Sequence, residues 1–498
     1  MDNSQIIYRS TRSADLTATP SAAILQGLAP DGGLYVPEKL PAYTGSFDAL
    51  AQQTYQETAL EIMSLLLTDF TQDELKHCID SAYDSKFDIP EITRLKKADG
   101  AWYLELFHGA TIAFKDMALS ILPHLMTTAA KKNQVTDEIV ILTATSGDTG
   151  KAAMAGFADV PGTKIIVFYP KGGVSAVQEK QMLTQRGANV HVVGINGNFD
   201  DAQSAVKKIF GDAQMKERMA QGGMRFSSAN SINIGRLVPQ IVYYFYAYGQ
   251  MVKAGEVKAG DPINITVPTG NFGNILAAYY AKKMGLPCTK LICASNENRV
   301  LVDFFRTGRY DRNREFILTS SPSMDILISS NLERLVYASA GEDADATRAF
   351  MEKLSKEGSY EITEKMQEGL TDFWGDYASE EMTSQEIRRL FEESGYVIDT
   401  HTAVASNVYR RYREETGDTT KTVIASTASP YKFLRSVVTA IRPDLDKKSD
   451  FELIDELHQI SGTTVPQAIE DIRTAPQLHD TVVDVPDMAG EVARWLGI

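Results

Sequence analysis

The feature that most constrains the fold of this chain is a series of short runs rich in valine and isoleucine, separated by stretches with helical spacing. The runs are EIVILTA (138–144), KIIVFYP (164–170), NVHVVGI (189–195), INITVP (263–268), KLICAS (290–295) and TVIAST (422–427). Apolar strands that alternate with helices are typical of parallel sheets covered by helices on both faces. The sequence therefore predicts an α/β fold with mainly parallel sheets.

This alternation begins only near residue 96, which indicates a separate N-terminal part. There, the segments 44–67 and 71–87 have the spacing of amphipathic helices, and Thr71 with Glu74 has the spacing of a capping box. We predict four parts: an N-terminal mixed and helical domain (1–95), an α/β domain (96–240), a second α/β domain with a helical insertion (241–446) and a helical C-terminal tail (447–498).

The composition argues against several classes of protein. The formal net charge is −15, whereas a general nucleic-acid binder has a basic excess. Because no uncharged apolar run approaches ~18 residues, we expect no membrane span. The three cysteines (Cys78, Cys288 and Cys293) are too few for a disulfide framework and have no nearby metal ligands. We expect no metal site and a reducing, cytoplasmic environment.

Lys115 lies in a mostly apolar run, HGATIAFKDMALSILPHLM, where a helix is predicted to begin. The positive end of the helix dipole and apolar surroundings both lower the pKa of an amine. A neutral lysine amine attacks carbonyl groups and forms Schiff bases. The alternative is a lysine whose stem packs while its ammonium group reaches water, and this stretch alone favours that alternative.

Two strand-to-helix junctions have the composition of anion-binding loops. TSGDTG (145–150) follows one predicted strand, and TGNFGN (269–274) follows another. Small residues let the backbone turn tightly and direct N–H groups at an anion near a helix N-terminus. The first loop is not a Walker loop, and the second lacks the full dinucleotide fingerprint, so the second suits the single phosphate of a smaller cofactor. Ordinary helix caps are the alternative for both.

Polar residues also cluster before the apolar helix that is predicted to begin near Leu237. Ser231, Asn233 and Arg236 offer a hydroxyl, an amide and a guanidinium group, which suit a carboxylate or a phosphate. A polar loop that caps the helix is an equally good interpretation. Thr427 follows the strand 422–426, at the end where open α/β sheets bind ligands, although many such residues only form turns.

Taken together, these motifs resemble the threonine synthase family, whose members are pyridoxal-phosphate (PLP) enzymes of fold type II, the tryptophan-synthase-β structural group. HGATIAFKD (108–116) resembles the PLP-lysine signature of the family, TSGDTG its substrate and cofactor-ring loop, and TGNFGN its cofactor-phosphate loop. DGGLYVP (31–37), IDTHTAVA (398–405) and STASP (426–430) match in the same order. Ala110 and Ser429 depart from the pattern, which often has Pro and His there. The chain resembles the longer type of fungi and many bacteria.

The resemblance implies a fold of two α/β domains and the conversion of O-phospho-L-homoserine and water to L-threonine and phosphate with PLP. It implies that Lys115 binds PLP as a Schiff base and acts as general base and acid, and that Thr427 meets the pyridine nitrogen. The implied phosphate-binding residues are Gly270, Asn271, Phe272, Gly273 and Asn274. The candidate substrate-binding residues are Thr145, Ser146, Asp148, Thr149, Ser231, Asn233 and Arg236, with Lys151 and Lys171 as weaker candidates. We expect a monomer or a homodimer.

Other enzymes of the same PLP group are the nearest alternatives: a threonine dehydratase, a cysteine synthase or a phospholyase of threonine-synthase-like type. The DGGLYVP segment and Asp148 favour threonine synthase over these. An alternative of another class is a non-catalytic protein that binds PLP or a nucleotide, and the intact Lys115 argues against it.

Overall fold

The computed structural model describes residues 5–145, 148–174 and 176–498. The elements before residue 90 are β1 (Tyr8–Ser10), β2 (Ser13–Ala18), α1 (Pro20–Gln26), β3 (Tyr35–Pro37), α2 (Phe47–Leu50), α3 (Tyr55–Leu66) and α4 (Gln72–Ala82). The three strands form an antiparallel sheet in the order β2-β1-β3. Thr71 caps α4, and the side chain of Glu74 accepts a bond from the Thr71 backbone, so the predicted capping box is present.

The following stretch of chain alternates strands and helices as predicted. Its elements are β4 (Arg94–Ala98), β5 (Ala101–Glu105), α5 (Asp116–Leu119), α6 (Leu122–Lys132), β6 (Glu138–Ala144), α7 (Asp148–Phe157), β7 (Thr163–Pro170), α8 (Ala176–Leu183), β8 (Val190–Asn196), α9 (Phe199–Gly211), α10 (Ala213–Gln221), β9 (Met224–Ser227) and α11 (Ile234–Lys253).

The remainder of the chain begins with a second group of buried strands and ends in helices. Its elements are β10 (Ile263–Pro268), α12 (Gly273–Lys283), β11 (Cys288–Ser295), α13 (Val300–Thr307), β12 (Arg309–Asp311), α14 (Leu332–Ser339), α15 (Ala344–Glu357), β13 (Ser359–Glu361), α16 (Glu364–Glu368), β14 (Phe373–Tyr377), α17 (Glu380–Ser394), α18 (Thr400–Thr416), β15 (Thr422–Ser426), α19 (Leu434–Ile441), α20 (Asp450–Ser461), α21 (Gln467–Thr474), β16 (Val482–Asp484) and α22 (Met488–Leu496). Short 3₁₀ turns lie at Pro322–Met324, Pro443–Leu445 and Val485–Asp487.

Two large sheets form the centre of the described structure. One has the strand order β14-β11-β10-β15-β5-β4 and is parallel except for β4, which pairs antiparallel with β5. The other has the order β16-β8-β7-β6-β9 and is parallel throughout. Alternate residues of β6 enter different cores: Ile139 and Ile141 pack into the largest core cluster, whereas Val140 and Leu142 pack into the cluster that contains residues of α9 and α22. Burial on both faces explains the unbroken apolar runs, and the α/β prediction is confirmed.

Two segments cross the boundaries that the sequence suggested. Strands β4 and β5 precede the five-stranded sheet in the chain, yet β5 pairs with β15 in the six-stranded sheet. Strand β16, from the C-terminal tail, pairs with β8 in the other sheet. The pattern of apolar residues identifies a strand but does not specify its neighbour, which depends on long-range pairing. The division at residues 95, 240 and 446 stays a prediction.

Helix α11 is buried around almost its whole circumference and packs against α3, α5 and α12. A helix that is apolar on all sides belongs in the interior of a large protein or in a membrane. Within the described residues, no helix is both long enough and apolar enough to cross a membrane. Helix α11 therefore joins the N-terminal part to the α/β core, and its first turn carries Arg236 to the site described below.

Candidate active site

A cavity of about 410 Å³ lies where strands from both large sheets end. Leu142, Thr143 and Ala144 at the end of β6 line one side, and Pro268 at the end of β10 lines another. Thr427, the first residue after β15, also lines the cavity. The carboxyl ends of parallel strands are the usual ligand-binding edge of α/β sheets. This cavity is therefore the candidate site.

Lys115 lies in the wall of this cavity, immediately before α5. Its side chain is 11% exposed, and Nζ donates to Ser323 Oγ over 3.2 Å. The nearest carboxylate oxygen, Asp148 Oδ2, is 3.9 Å from Nζ. Burial lowers the pKa of the Lys115 amine; Asp148 opposes this effect, while Lys432 and Arg236 add to it. The amine is therefore more readily deprotonated than an exposed lysine.

The loop before Lys115 is held by its own hydrogen bonds. The Asp116 carboxylate accepts from the backbone N–H of Thr111 over 2.8 Å and from its hydroxyl over 2.6 Å. A Cβ atom on Gly109 would lie 2.6 Å from Asp116 Cβ, so glycine is required for this close approach. The Phe114 N–H donates to the carbonyl of Thr427 over 2.8 Å. This bond joins the lysine loop to the end of β15, and it brings Lys115 and Thr427 into one cavity.

The loop Gly270–Asn274 forms the opposite wall and leads into α12. Phe272 has a φ of 65°, in the left-handed region, which turns the chain into the helix. The first N–H groups of a helix have no partner within the helix and attract anions. Tyr243 donates to Asn274 Oδ1 over 2.9 Å, while the buried Asn274 Nδ2 has no hydrogen-bond partner among the described residues. The loop offers donors to an anion such as phosphate.

Asp148 lies behind Lys115, in the first turn of α7. Its Oδ1 is 3.3 Å from Lys432 Nζ, and its Oδ2 accepts from Ser323 over 3.0 Å. Burial favours the neutral acid, but Lys432 and Lys115 outweigh it and hold the pKa of Asp148 well below its usual value. The two lysines therefore allow a carboxylate to remain charged beside a site that also suits anions.

Arg236 lines the cavity with a guanidinium group that is 3% exposed. Nη1 donates to the carbonyl of Ala229 over 3.0 Å, and the buried Nε has no partner among the described residues. Burial lowers the pKa of Arg236 to about 10, so the group is still charged at neutral pH. In the described part of the chain, no acidic side chain forms an ion pair with Arg236, and an anionic ligand would supply the missing charge.

Of the other residues predicted to bind substrate, some line the cavity and some do not. Thr149 and Ser231 line the cavity. The Thr145 hydroxyl accepts from the N–H of Gly150 in α7 over 3.0 Å, and Ser146 lies outside the described residues. Asn233 does not line the cavity.

Asn233 is the N-cap of α11. Its Oδ1 accepts from Gly235 over 2.8 Å, and its Nδ2 donates to the carbonyl of Ile24 over 2.9 Å. This side chain caps the helix, which was the alternative interpretation, and the substrate contact stays a prediction. Lys171 is exposed, and the buried Lys151 donates to Gln185 outside the cavity lining.

Three residues at the site were missed from the sequence: Ser323, His401 and Lys432. His401 lies within the motif IDTHTAVA, so the motif was found but its histidine was not singled out. Lys432 is the second residue after STASP and is 4% exposed, so its place near that strand end is a signal in the sequence. Ser323 lies in the 3₁₀ turn Pro322–Met324 between β12 and α14, in a part of the sequence that carries no recognisable motif.

Comparisons with known proteins identify related sequences and structures. Family models described as Threonine synthase N terminus, Pyridoxal-phosphate dependent enzyme, and Threonine synthase, C-terminal match residues 7–83, 87–428 and 402–483. Threonine synthase of Schizosaccharomyces pombe is 38% identical over 88% of this chain and 90% of its own. Human threonine synthase-like 1 is 37% identical over 93% of this chain but 62% of its own. The structure of PLP-bound threonine synthase from Brucella melitensis is similar with a TM-score of 0.87 at 33% identity, covering 99% of this chain and 98% of that one.

Proposed function

Since the chain belongs to the threonine synthase family of pyridoxal-phosphate dependent enzymes, we propose that it converts O-phospho-L-homoserine and water to L-threonine and phosphate. The observation that carries this proposal is that one cavity contains two groups suited to bind anions, a loop and an arginine, together with a buried lysine amine. The loop Gly270–Asn274 suits the phosphate of the cofactor, and Arg236, which has no acidic partner among the described residues, suits the phosphate of the substrate.

The residues present fit PLP. Lys115 would bind it covalently, Gly270–Asn274 would hold its phosphate, and Thr427 would lie beside its pyridine nitrogen. The buried, unpartnered Asn274 Nδ2 is a donor in the cradle, and Gly270 leaves no room for a side chain, since its Cβ would lie 2.4 Å from the carbonyl of Ser323. When bound, PLP withdraws electrons from the substrate carbons and so stabilises the carbanions that the reaction requires.

The side chains around the cavity would transfer protons and bind the substrate phosphate. With its lowered pKa, the Lys115 amine can accept a proton from the α carbon of the substrate and return a proton later. Arg236 and Ser231 would bind the phosphate group and offset its charge as it leaves the γ carbon. Water must then add at the β carbon, so the cavity must admit one water molecule while it retains the reacting substrate.

The second candidate is the phospholyase of threonine-synthase-like type that the sequence leaves open. Such an enzyme would release phosphate from the substrate without forming threonine. The two functions need the same lysine and the same anion sites, so these features do not separate them. They differ in whether water adds at the β carbon.

The test is an assay with O-phospho-L-homoserine in which phosphate, threonine and 2-oxobutyrate are all quantified. We expect equal amounts of phosphate and threonine. Phosphate with only 2-oxobutyrate would reject threonine synthesis in favour of the phospholyase. Lys115→Ala should abolish turnover and the visible absorption band of the bound cofactor. Lys253→Ala is the matched control, because Lys253 is exposed and lies outside the cavity, and this variant should keep full activity.

We further propose that the enzyme works in the cytoplasm as a monomer or a homodimer. The three cysteines are free and buried, which is usual in a reducing compartment. Sedimentation of the purified holoenzyme would establish the number of subunits.

A further inference from the structure

The 3₁₀ turn Pro322–Met324 lies between the lysine loop and the cofactor-phosphate loop. Its backbone is fixed from two sides. The Ser323 N–H donates to His401 Nε2 over 3.2 Å, and the Thr400 hydroxyl donates to the carbonyl of Ser320 over 2.8 Å. On the other side, the Ser323 carbonyl lies so close to Gly270 that no side chain fits there. The turn is therefore held firmly at the cavity wall.

His401 is itself fixed. Its Nδ1 is 2.8 Å from Asp399 Oδ2, and Asp399 also caps α18. Because Nε2 accepts from the Ser323 backbone, the ring proton belongs on Nδ1, where it is donated to the Asp399 carboxylate. The chain of contacts from Asp399 through His401 determines where the Ser323 side chain is placed.

The Ser323 hydroxyl lies between the two charged groups of the site. It accepts from Lys115 Nζ over 3.2 Å and donates to Asp148 Oδ2 over 3.0 Å. A hydroxyl has one proton to donate and lone pairs to accept, so it can make both bonds at once. Lys115 Nζ and Asp148 Oδ2 are 3.9 Å apart, which is too far for a direct hydrogen bond.

We propose that Ser323 is a positioning residue for Lys115, whose hydroxyl keeps the lysine amine and the Asp148 carboxylate apart while it bonds to both. Without this spacer, the flexible lysine can close on the carboxylate and form a direct ion pair. Such a pair favours the protonated amine, which can neither attack a carbonyl group nor accept a proton. The inference rests on the proposed function in one respect, because that function assigns Lys115 its chemical role.

Several charged groups face Lys115 and must be considered with Asp148. The electrostatic environment of Lys115 includes Asp116 from α5, Arg236 from α11 and Lys432 after β15, and the cavity lining adds Lys207 from α9 and the titratable ring of His401 from α18. Asp148 is the nearest carboxylate, and closing its separation from Nζ from 3.9 Å to ~2.8 Å strengthens the attraction enough to raise the amine pKa by about one unit. The fraction of neutral amine would then fall.

The experiment compares the holoenzyme with the variants Ser323→Ala, Ser323→Thr and Ser320→Ala. The visible band of the Lys115-bound cofactor is titrated with pH, because a carboxylate drawn toward Nζ raises the midpoint of that titration. We expect an upward shift of about one pH unit in Ser323→Ala and the wild-type midpoint in Ser323→Thr, which retains a hydroxyl. Ser320→Ala is the matched control, since its hydroxyl contacts Glu380 away from the cavity, and it should not shift the midpoint.

An unchanged or lowered midpoint in Ser323→Ala would overturn the inference, as would an equal shift in Ser320→Ala. If the wild-type protein shows no visible band even after PLP is added, the cofactor assignment fails. The same variants then test Ser323 through the pH dependence of Lys115 modification by trinitrobenzenesulfonate, located by mass spectrometry. That measurement reports the amine itself, so the two failures can be told apart.

Discussion

Replacing Arg236 by methionine should reduce activity without reducing stability, because its buried charge is costly until an anion binds. A guanidinium group at ~4 Å from a phosphate charge, at an effective dielectric constant of about 20, is attracted by about 4 kcal/mol. Water competes for both groups, and hydrogen bonds to charged partners contribute about 1.5–3 kcal/mol net. We therefore expect kcat/KM for O-phospho-L-homoserine to fall on the order of 100-fold.

The stability of the Arg236→Met variant should change in the opposite direction. Burial lowers the pKa of Arg236 to about 10, which corresponds to a cost on the order of 3 kcal/mol for keeping the folded side chain charged at pH 7. Removing the charge removes this cost, while the Ala229 carbonyl loses its donor at a cost of about 1–3 kcal/mol. Without substrate, the free energy of unfolding should be unchanged or up to about 2 kcal/mol higher.

Both quantities can be measured on the same purified variant, by steady-state release of phosphate and by urea unfolding in the absence of substrate. Arg236→Lys is the control that keeps a positive charge but cannot bind phosphate in the same two-pronged way, and its activity should lie between those of wild type and Arg236→Met. A variant Arg236→Met that is less stable than wild type and fully active would refute the reasoning, because it would make Arg236 a structural residue.

Three further perturbations test other parts of the site. Gly270→Ala places a Cβ 2.4 Å from the Ser323 carbonyl, so PLP affinity in absorbance titrations should fall about tenfold or more, whereas Gly490→Ala, where the surroundings are open, should not change it. Lys432→Met removes the largest of the effects that lower the pKa of the buried Asp148, so this pKa should rise toward and above the usual value. The acid limb of the pH profile of kcat/KM should then move to higher pH, and an unmoved limb would contradict this. Asn233→Ala should cost about 1 kcal/mol of unfolding free energy as a lost cap, with kcat and KM unchanged, and a raised KM would restore the predicted substrate contact.

The sign of the pH effect at Asp148 follows from its lowered pKa in the folded protein. An acid with a lowered pKa contributes stability that is fully present above its unfolded pKa of ~3.9 and is lost as the pH falls through the folded value. In the wild type, this loss lies below the ordinary range for aspartate, because Lys432 and Lys115 outweigh burial. In Lys432→Met, a folded pKa above the unfolded one reverses the sign: the carboxylate then costs stability at neutral pH, and this cost is relieved as the pH falls through the folded value.

The strands that could be predicted are those buried on both faces. EIVILTA and INITVP coincide with β6 and β10, because unbroken apolar runs arise in the centre of a parallel sheet. Strands β5 and β14, AWYLE and FWGDY, were not identified, since they are short and mix aromatic with acidic residues. Their assignment depends on long-range pairing with β15 and β11, which no local pattern records.

The site could be predicted where the functional residues lie close to the end of a strand or the start of a helix. Lys115, Thr427 and the loop Gly270–Asn274 reach the cavity because each lies at or near a strand end or a helix start. Ser323 could not be predicted, since its turn is placed by contacts with His401 and Gly270 that are distant in sequence. Asn233 shows why composition does not decide between roles: an amide at a helix start is the same residue whether it binds a ligand or caps the helix.

The charges at the cavity connect stability with ligand binding. Lys115 and Arg236 line the cavity, and the buried Lys432 lies beside Asp148. Asp148 pairs with both lysines, while Arg236 has no carboxylate partner among the described residues. Burying this positive charge costs free energy in the protein without ligand, and the cofactor and substrate phosphates offset it when they bind. Ligands that bind the folded state alone stabilise it by mass action. The buried positive charges therefore lower the stability of the protein without ligand and also give it affinity for the phosphates of the cofactor and the substrate. For this reason, activity and stability should change in opposite directions when Arg236 is replaced.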